Sequence, residues 1–193
     1  CEQNLDPDLP LKTPIGKSGR REKGSRVFGI DAVNEFDDLT DDIYDYCEIL
    51  KIGVDTLIHE SGPSQIEINL NHGDPLQLAD QAFMFKRAVR QVALKHGIHA
   101  TFMSKPYQGH PGSSMHIHQN IISKKTNKNL FSDDNGNNTE EFFHFIGGLQ
   151  TYLPDAMLFF APYVNSYRRF VIDASAPINT HWGFENRTVA FRI

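Results

Sequence analysis

From Asp74 to Gly97 the chain carries, in order, the local signals that start, sustain and stop one long helix. Asp74 can cap the first turn, Pro75 suits the position after a cap, and Gln77 completes a capping box. Gly97 supplies the stop. Leu78, Ala82, Phe85, Val89 and Val92 share one stripe, the spacing of a helical face buried in a core. Just upstream, the stretch HESGPSQIEIN offers Glu60, a short turn, and then a strand. Side chains alternate along a strand, so Gln65, Glu67 and Asn69 face one side and Ile66, Ile68 and Leu70 the other.

The remaining elements follow from weaker signals. Ile43, Cys47 and Leu50 predict a packing helix from Asp38 to Gly53, with Gly53 ending it. His99 to Met103 reads as a strand, Ser104 to Gly112 as a loop, and Ser114 to Ser123 as a second strand. Lys124 to Asn138 is a polar turn region. A helix from Thr139 to Leu153 follows, with Asn138 as its cap and Glu141 three residues on. An arginine-rich loop and a terminal strand close the chain. Strands that neighbour one another in pairs, with helices between some of them, predict an α+β fold: a largely antiparallel sheet with flanking helices. No internal repeat is visible.

The 193 residues, 39% hydrophobic and 22% charged, suffice for one good core in an ordinary globular protein. A formal charge of -5 argues against nucleic acid as the main partner, because gripping a phosphate backbone needs a net basic face. Cys1 and Cys47 imply no disulfide framework, and there is no secretory or long apolar run, so the expectation is a cytoplasmic protein without a membrane partner. The chain starts on Cys1 and ends on Phe191-Arg192-Ile193, an apolar and basic alternation with no closing turn; a fragment of a longer protein is expected. Residues 1–26, rich in Pro, Gly and charge, read as a mobile, solvated loop. Gly16-Lys17-Ser18 is not a P-loop end, because Leu11 stands where the first glycine is required.

Met115-His116-Ile117-His118 puts two imidazoles on one face of its strand. Carboxylates at Glu60 and Glu67 with imidazoles and no nearby thiolate suit Mg²⁺ or Mn²⁺ better than structural zinc. Arg168, Arg169, Arg187 and Arg192 can grip a carboxylate or phosphoryl group in bidentate fashion, which points to nucleotide-dependent chemistry. The plainer alternative stays open for each: a hydrogen-bonded structural histidine, a surface glutamate, a solvated arginine.

ESGPSQIE, LADQAFMFKRAVRQVALKHG, ATFMSKP, GSSMHIHQ, NSYRRF and SAPINTHWGFENRTVAFRI, in this order and spacing, resemble the catalytic domain of the glutamine synthetase family, within it most the gamma-glutamylputrescine synthetase branch. The resemblance covers essentially all 193 residues. It implies a curved sheet that is incomplete at both ends of this chain, an absent N-terminal β-grasp domain, and a homo-oligomeric ring, possibly a dodecamer. It also implies a ligase in which ATP phosphorylates the gamma-carboxylate of glutamate and an amine displaces the phosphate, with two Mg²⁺ or Mn²⁺ ions per site. By position, Glu60 and Glu67 match ligands of the ion nearer glutamate, and His116 a ligand of the ion bridging the ATP phosphates. His118 and Asn120 match nucleotide contacts. Gly112 and Arg169 match glutamate contacts, and Arg187 and Arg192 the groups that stabilise the transferred phosphoryl, Arg187 also touching nucleotide.

Two departures bear on the amine. Ammonia-using members have Asn where Pro111 stands and a flap glutamate where Ser175 stands. A carboxylate there stabilises a small ammonium ion and helps deprotonate it, so its loss predicts a larger amine such as putrescine. The alternatives are an ammonia-using glutamine synthetase and a non-catalytic structural member of the family. Further ligands are expected outside this segment, which by itself is predicted to be inactive.

Overall fold

The computed structural model describes residues 11–24, 26–172 and 176–193. They divide into two compact units, Cys1–Gly112 and Ser113–Ile193.

The first unit begins with the short helix α1 (Ile30–Asn34) and continues into α2 (Asp37–Ile49). Asp37 and Asp38 place negative charge at the positive end of the α2 dipole. The helix stops earlier than predicted, and Gly53 is not what stops it. Lys51 takes the left-handed conformation at φ 57°, its amide reaches Glu48 O at 3.0 Å, and the Ile52 amide reaches Cys47 O at 2.8 Å. These two bonds form a Schellman closure, which turns Ile52 back onto Cys47. Ile52 is therefore buried and Leu50 exposed, reversing the predicted core position. Gly53 serves the next element instead: its carbonyl accepts from Asn71 N, and a Cβ there would lie 2.8 Å from Asn71 Nδ2.

Strands β1 (Val54–His59) and β2 (Ile66–Leu70) pair antiparallel, with Leu57 opposite Ile68, Ile58 opposite Glu67 and His59 opposite Ile66. Helix α3 (Pro75–Lys95) then starts and stops as its sequence dictates. Asp74 Oδ1 accepts from the amides of Leu76 at 3.0 Å and Gln77 at 3.2 Å. Gly97, at φ 69°, closes the C-terminus with the same pair of bonds as α2, Gly97 N to Leu94 O and Ile98 N to Ala93 O. Phe85, Val89 and Val92 of the predicted stripe join Ile43, Cys47 and Ile52 in one core, and Val54, Ile68, Leu70, Ala100 and Phe102 pack against it. The apolar face of β2 thus lies on α2 and α3, leaving the polar face outward. Residues His99 to Met103 do not form a strand; they cross the core edge irregularly, using Phe102 as an anchor against Phe85.

The basic segment at residues 11–24 is a turn with defined ties. Ile15 bridges Arg21, the Gly16 amide reaches Arg20 O, and Thr13 Oγ1 donates to Glu22 O at 3.2 Å.

The second unit contains α4 (Glu140–Tyr152), α5 (Met157–Phe160) and α6 (Val164–Tyr167). Its predicted helix is present, but the cap is Thr139, whose Oγ1 accepts from Phe142 N at 3.3 Å. Phe142 and Ile146 are buried, and Phe131 stacks edge-on against Phe142. The stretch Ser114 to Ser123 has no ladder partner among the described residues and is not a regular strand; it makes one bridge, Ile122 to Asn129. A strand is stabilised only by its neighbour, so a favourable alternation alone does not produce one. Strands β3 (Trp182–Gly183) and β4 (Phe191–Arg192) are two residues each and run parallel, unlike the predicted antiparallel arrangement. Between them Glu185 adopts φ 46° and donates its amide to Ile193 O, which folds the chain back to the same end of β3.

Among the described residues no helix is long and apolar enough to cross a membrane.

Candidate active site

In the first unit the site is built on the polar face of the β1–β2 hairpin. Glu67 lies opposite Ile58, and the Glu60 amide continues the ladder by donating to Gln65 O at 2.8 Å. Alternation therefore gives Glu60, Gln65, Glu67 and Asn69 a common face, with Asn69 Nδ2 bonded across the strands to Thr56 Oγ1 at 2.8 Å. Glu60 and Glu67 are both half-buried. Glu60 Oε2 accepts from the Ser61 amide at 3.0 Å, whereas the Glu67 carboxylate has no hydrogen bond or ion pair among the described residues. Half-buried carboxylate oxygens with so few protein donors fit a hard divalent cation.

The turn between the strands is tied to the loop that ends the unit. The Gln65 amide accepts from Gly62 N at 2.8 Å and donates to Gly112 O at 3.0 Å. One side chain thus connects the carboxylate-bearing hairpin to the candidate glutamate loop containing Pro111 and Gly112. Sequence reasoning assigned Gln65 to the right face of the strand without seeing this link, because its partner lies far along the chain.

His59, between Ile58 and Glu60, was also missed. It is fully buried, with Nδ1 2.7 Å from Glu60 O and Nε2 2.9 Å from Glu22 Oε2. Nothing in the local pattern marks it, since its carboxylate partner sits in the segment predicted to be solvated.

In the second unit His116 and His118 are exposed, and Ser114 Oγ lies 3.5 Å from His116 Nε2. Asn120, Arg187 and Arg192 are also exposed, Arg192 on β4 and Arg187 within the turn after β3. Asn186 shapes that turn by accepting from the Thr188 amide at 2.9 Å and hydroxyl at 2.7 Å. Arg169 differs: it is half-buried directly after α6, and burial pushes its guanidinium down from the ordinary value. It has no carboxylate partner among the described residues. A half-buried cation without a counter-ion suits an anionic substrate group. Ser175 lies outside the described residues.

Among the described residues no three His, Cys, Asp or Glu side chains cluster into a complete metal cage. A cleft between the turn that follows α2 and helix α3, lined by Leu50, Lys51, Ile52, Gln77, Asp80, Gln81 and Met84, includes none of the candidates.

The family description "Glutamine synthetase, catalytic domain" matches residues 2–193. The chain belongs to the glutamine synthetase family. Among relatives of this family, it is 42% identical over 176 residues to gamma-glutamylputrescine synthetase PuuA of Escherichia coli K12, covering 90% of this chain and 37% of that protein. It is 36% identical over 166 residues to the glutamine synthetase of Pyrococcus horikoshii, covering 86% and 37%. The solved structure "GmaS/ADP complex-Conformation 1" superposes with a TM-score of 0.77 at 31% identity, covering 88% of this chain and 41% of that one. "Apo GmaS without ligand" gives 0.76 at 30% identity, covering 89% and 40%. The chain therefore has the family's catalytic-domain fold and spans well under half the length of these relatives.

Proposed function

We propose that this chain is the central part of an ATP-dependent ligase that joins the gamma-carboxylate of glutamate to an amine, with putrescine as the amine. The observation that carries this reading is the 42% identity to gamma-glutamylputrescine synthetase across 90% of the chain. Pro111 and Ser175, in place of the asparagine and glutamate of ammonia-using members, support the larger amine. The β1–β2 pair belongs in this reading to a larger, curved and largely antiparallel sheet, in a partial catalytic domain over residues 1–193 of a cytoplasmic ring, possibly a dodecamer.

In the reaction, Arg169 holds the glutamate carboxylate and the Gly112 backbone the same substrate. His118 and Asn120 hold the nucleotide phosphates. Glu60 and Glu67 are the residues that would hold a Mg²⁺ or Mn²⁺ ion beside glutamate, and His116 one beside ATP. Such ions, when bound, lend positive charge to the reacting oxygens. The gamma-phosphoryl group passes from ATP to the glutamate gamma-carboxylate, leaving ADP, while Arg187 and Arg192 balance the charge on the moving group. The neutral amine then attacks the carbonyl carbon of the gamma-glutamyl phosphate, inorganic phosphate leaves, and the nitrogen loses a proton.

Amine-dependent ADP release by the full-length protein, compared across putrescine, ethanolamine and ammonia, tests the substrate. Putrescine is expected to give the highest kcat/KM. Release confined to ammonia would instead support an ordinary glutamine synthetase, the reading favoured by the 36% identity to the archaeal enzyme.

A further inference from the structure

Glu22 is an acidic residue in a basic, glycine-rich turn, yet its side chain is only 11% exposed. One of its oxygens, Oε2, does two things at once. It faces Nε2 of the fully buried His59 at 2.9 Å, and it accepts the backbone amide of Ser64. Among the described residues the other oxygen, Oε1, is buried without a hydrogen bond, and the Arg26 guanidinium lies 3.9 Å from it. Burying a carboxylate this way costs free energy unless the contacts it makes are worth more elsewhere.

Both contacts act on the turn that carries Glu60. A carbonyl oxygen only accepts, so the 2.7 Å contact to Glu60 O fixes the hydrogen on His59 Nδ1 and turns Nε2 toward Glu22. The imidazole is thereby clamped between the Glu22 carboxylate and the Glu60 peptide. At the other end of the turn Ser64 sits at φ 54°, a left-handed conformation that a non-glycine residue holds only where its surroundings enforce it. Its amide is held by the same Glu22 oxygen.

We propose that Glu22 is a positioning residue for the cation edge of the hairpin: through His59 and the Ser64 amide it fixes both ends of the Glu60–Gln65 turn and so aims the Glu60 carboxylate. The proposal rests on the reading of Glu60 as a cation ligand. Groups that orient a ligand from behind commonly change metal affinity by about 10- to 100-fold when removed.

The test is Mn²⁺ affinity of the full-length protein without nucleotide, followed by the electron paramagnetic resonance of the free ion. Glu22→Ala is expected to weaken binding about tenfold. Glu22→Gln keeps the side-chain length and can set its amide oxygen where Oε2 stands, within reach of both the Ser64 amide and His59, and is expected to bind Mn²⁺ as the unchanged protein does. If Glu22→Ala does not fold, Glu22→Asp, one methylene too short to reach both partners, is expected to show the weakening. Glu60→Ala separates the two ideas. If Glu60→Ala leaves affinity intact, the ligand reading fails; if Glu60→Ala weakens binding while Glu22→Ala and Glu22→Asp do not, the positioning role is overturned. Equal weakening by Glu22→Gln and Glu22→Ala would also overturn it, because charge rather than bracing would then be the contribution.

Discussion

Arg169 is the candidate residue whose environment says most about its partner. Its guanidinium is half-buried and lacks a carboxylate among the described residues, and a planar fork in that position recognises a carboxylate through two parallel hydrogen bonds. Lysine retains the charge but loses the fork. Arg169→Lys is therefore expected to raise the glutamate KM of the full-length protein at least tenfold, from the loss of about 1.5–3 kcal/mol, with little change in the KM for ATP. Steady-state kinetics with each substrate varied in turn checks this. Gln65 gives a second residue-level outcome. Gln65→Ala removes the tie between the hairpin turn and Gly112 O, and a neutral hydrogen bond of about 1 kcal/mol corresponds to a glutamate KM raised about fivefold. An unchanged KM would show that Gly112 is held without Gln65.

Among the elements, α2 and α3 end with the same pair of backbone bonds but with different residues in the left-handed position, Gly97 for α3 and Lys51 for α2. A side chain there costs about 1 kcal/mol relative to glycine. Lys51→Gly is expected to recover part of it, raising chemical-denaturation stability by about 0.5–1 kcal/mol, provided the midpoint moves at constant slope. The two helices are also joined at the surface, where Asp42 Oδ2 meets His96 Nε2 at 2.9 Å and Lys95 Nζ at 3.2 Å. The His96 contact first, and Lys95 second, hold the Asp42 carboxyl below its ordinary value. A lowered folded-state value means stability that is present above the unfolded carboxyl value near pH ~4 and lost as pH falls through the folded one. Thermal unfolding of Asp42→Asn should therefore lie below that of the unchanged protein at neutral pH and converge with it in strong acid. These elements also differ in how far their own residues determine them. Asp74, Pro75 and Gly97 act within a few residues of themselves, so the start and stop of α3 are legible in the sequence, whereas the Gln77 half of the expected capping box makes no return bond to Asp74 among the described residues. The exchange of Leu50 for Ile52 came from a closure on lysine, where glycine is the usual signal. Alternation predicts a strand for the histidine stretch, but a strand depends on a neighbour that local pattern does not reveal. Likewise Glu60 and Glu67 were legible as a pair on one face, while Glu22, His59 and the Gln65 bond to Gly112 depend on contacts made far along the chain.

At the scale of the whole molecule, the first unit has a core between α2, α3 and the hairpin. Both units leave large apolar side chains exposed, among them Ile30 at 76% and Phe83 at 72% in the first, and Leu158 at 70%, Phe159 at 83% and Val164 at 86% around α5 and α6 in the second. Exposed apolar surface favours association. The 193-residue chain prepared alone is expected to release no ADP from ATP, glutamate and putrescine, and to bind a hydrophobic dye more strongly than its Phe159→Ser variant. Equal dye binding by the two would place the adhesive surface elsewhere.

Cys47 is 1% exposed at the centre of the first unit's core, and burial pushes its thiol up from the ordinary value. A thiol reagent attacks the thiolate and needs access to sulfur, so in the closed core both requirements go unmet. Labelling of Cys47 then proceeds only in the moments when α2 lifts from α3, and its rate is a clock for the opening of the platform on which Glu60 and Glu67 stand.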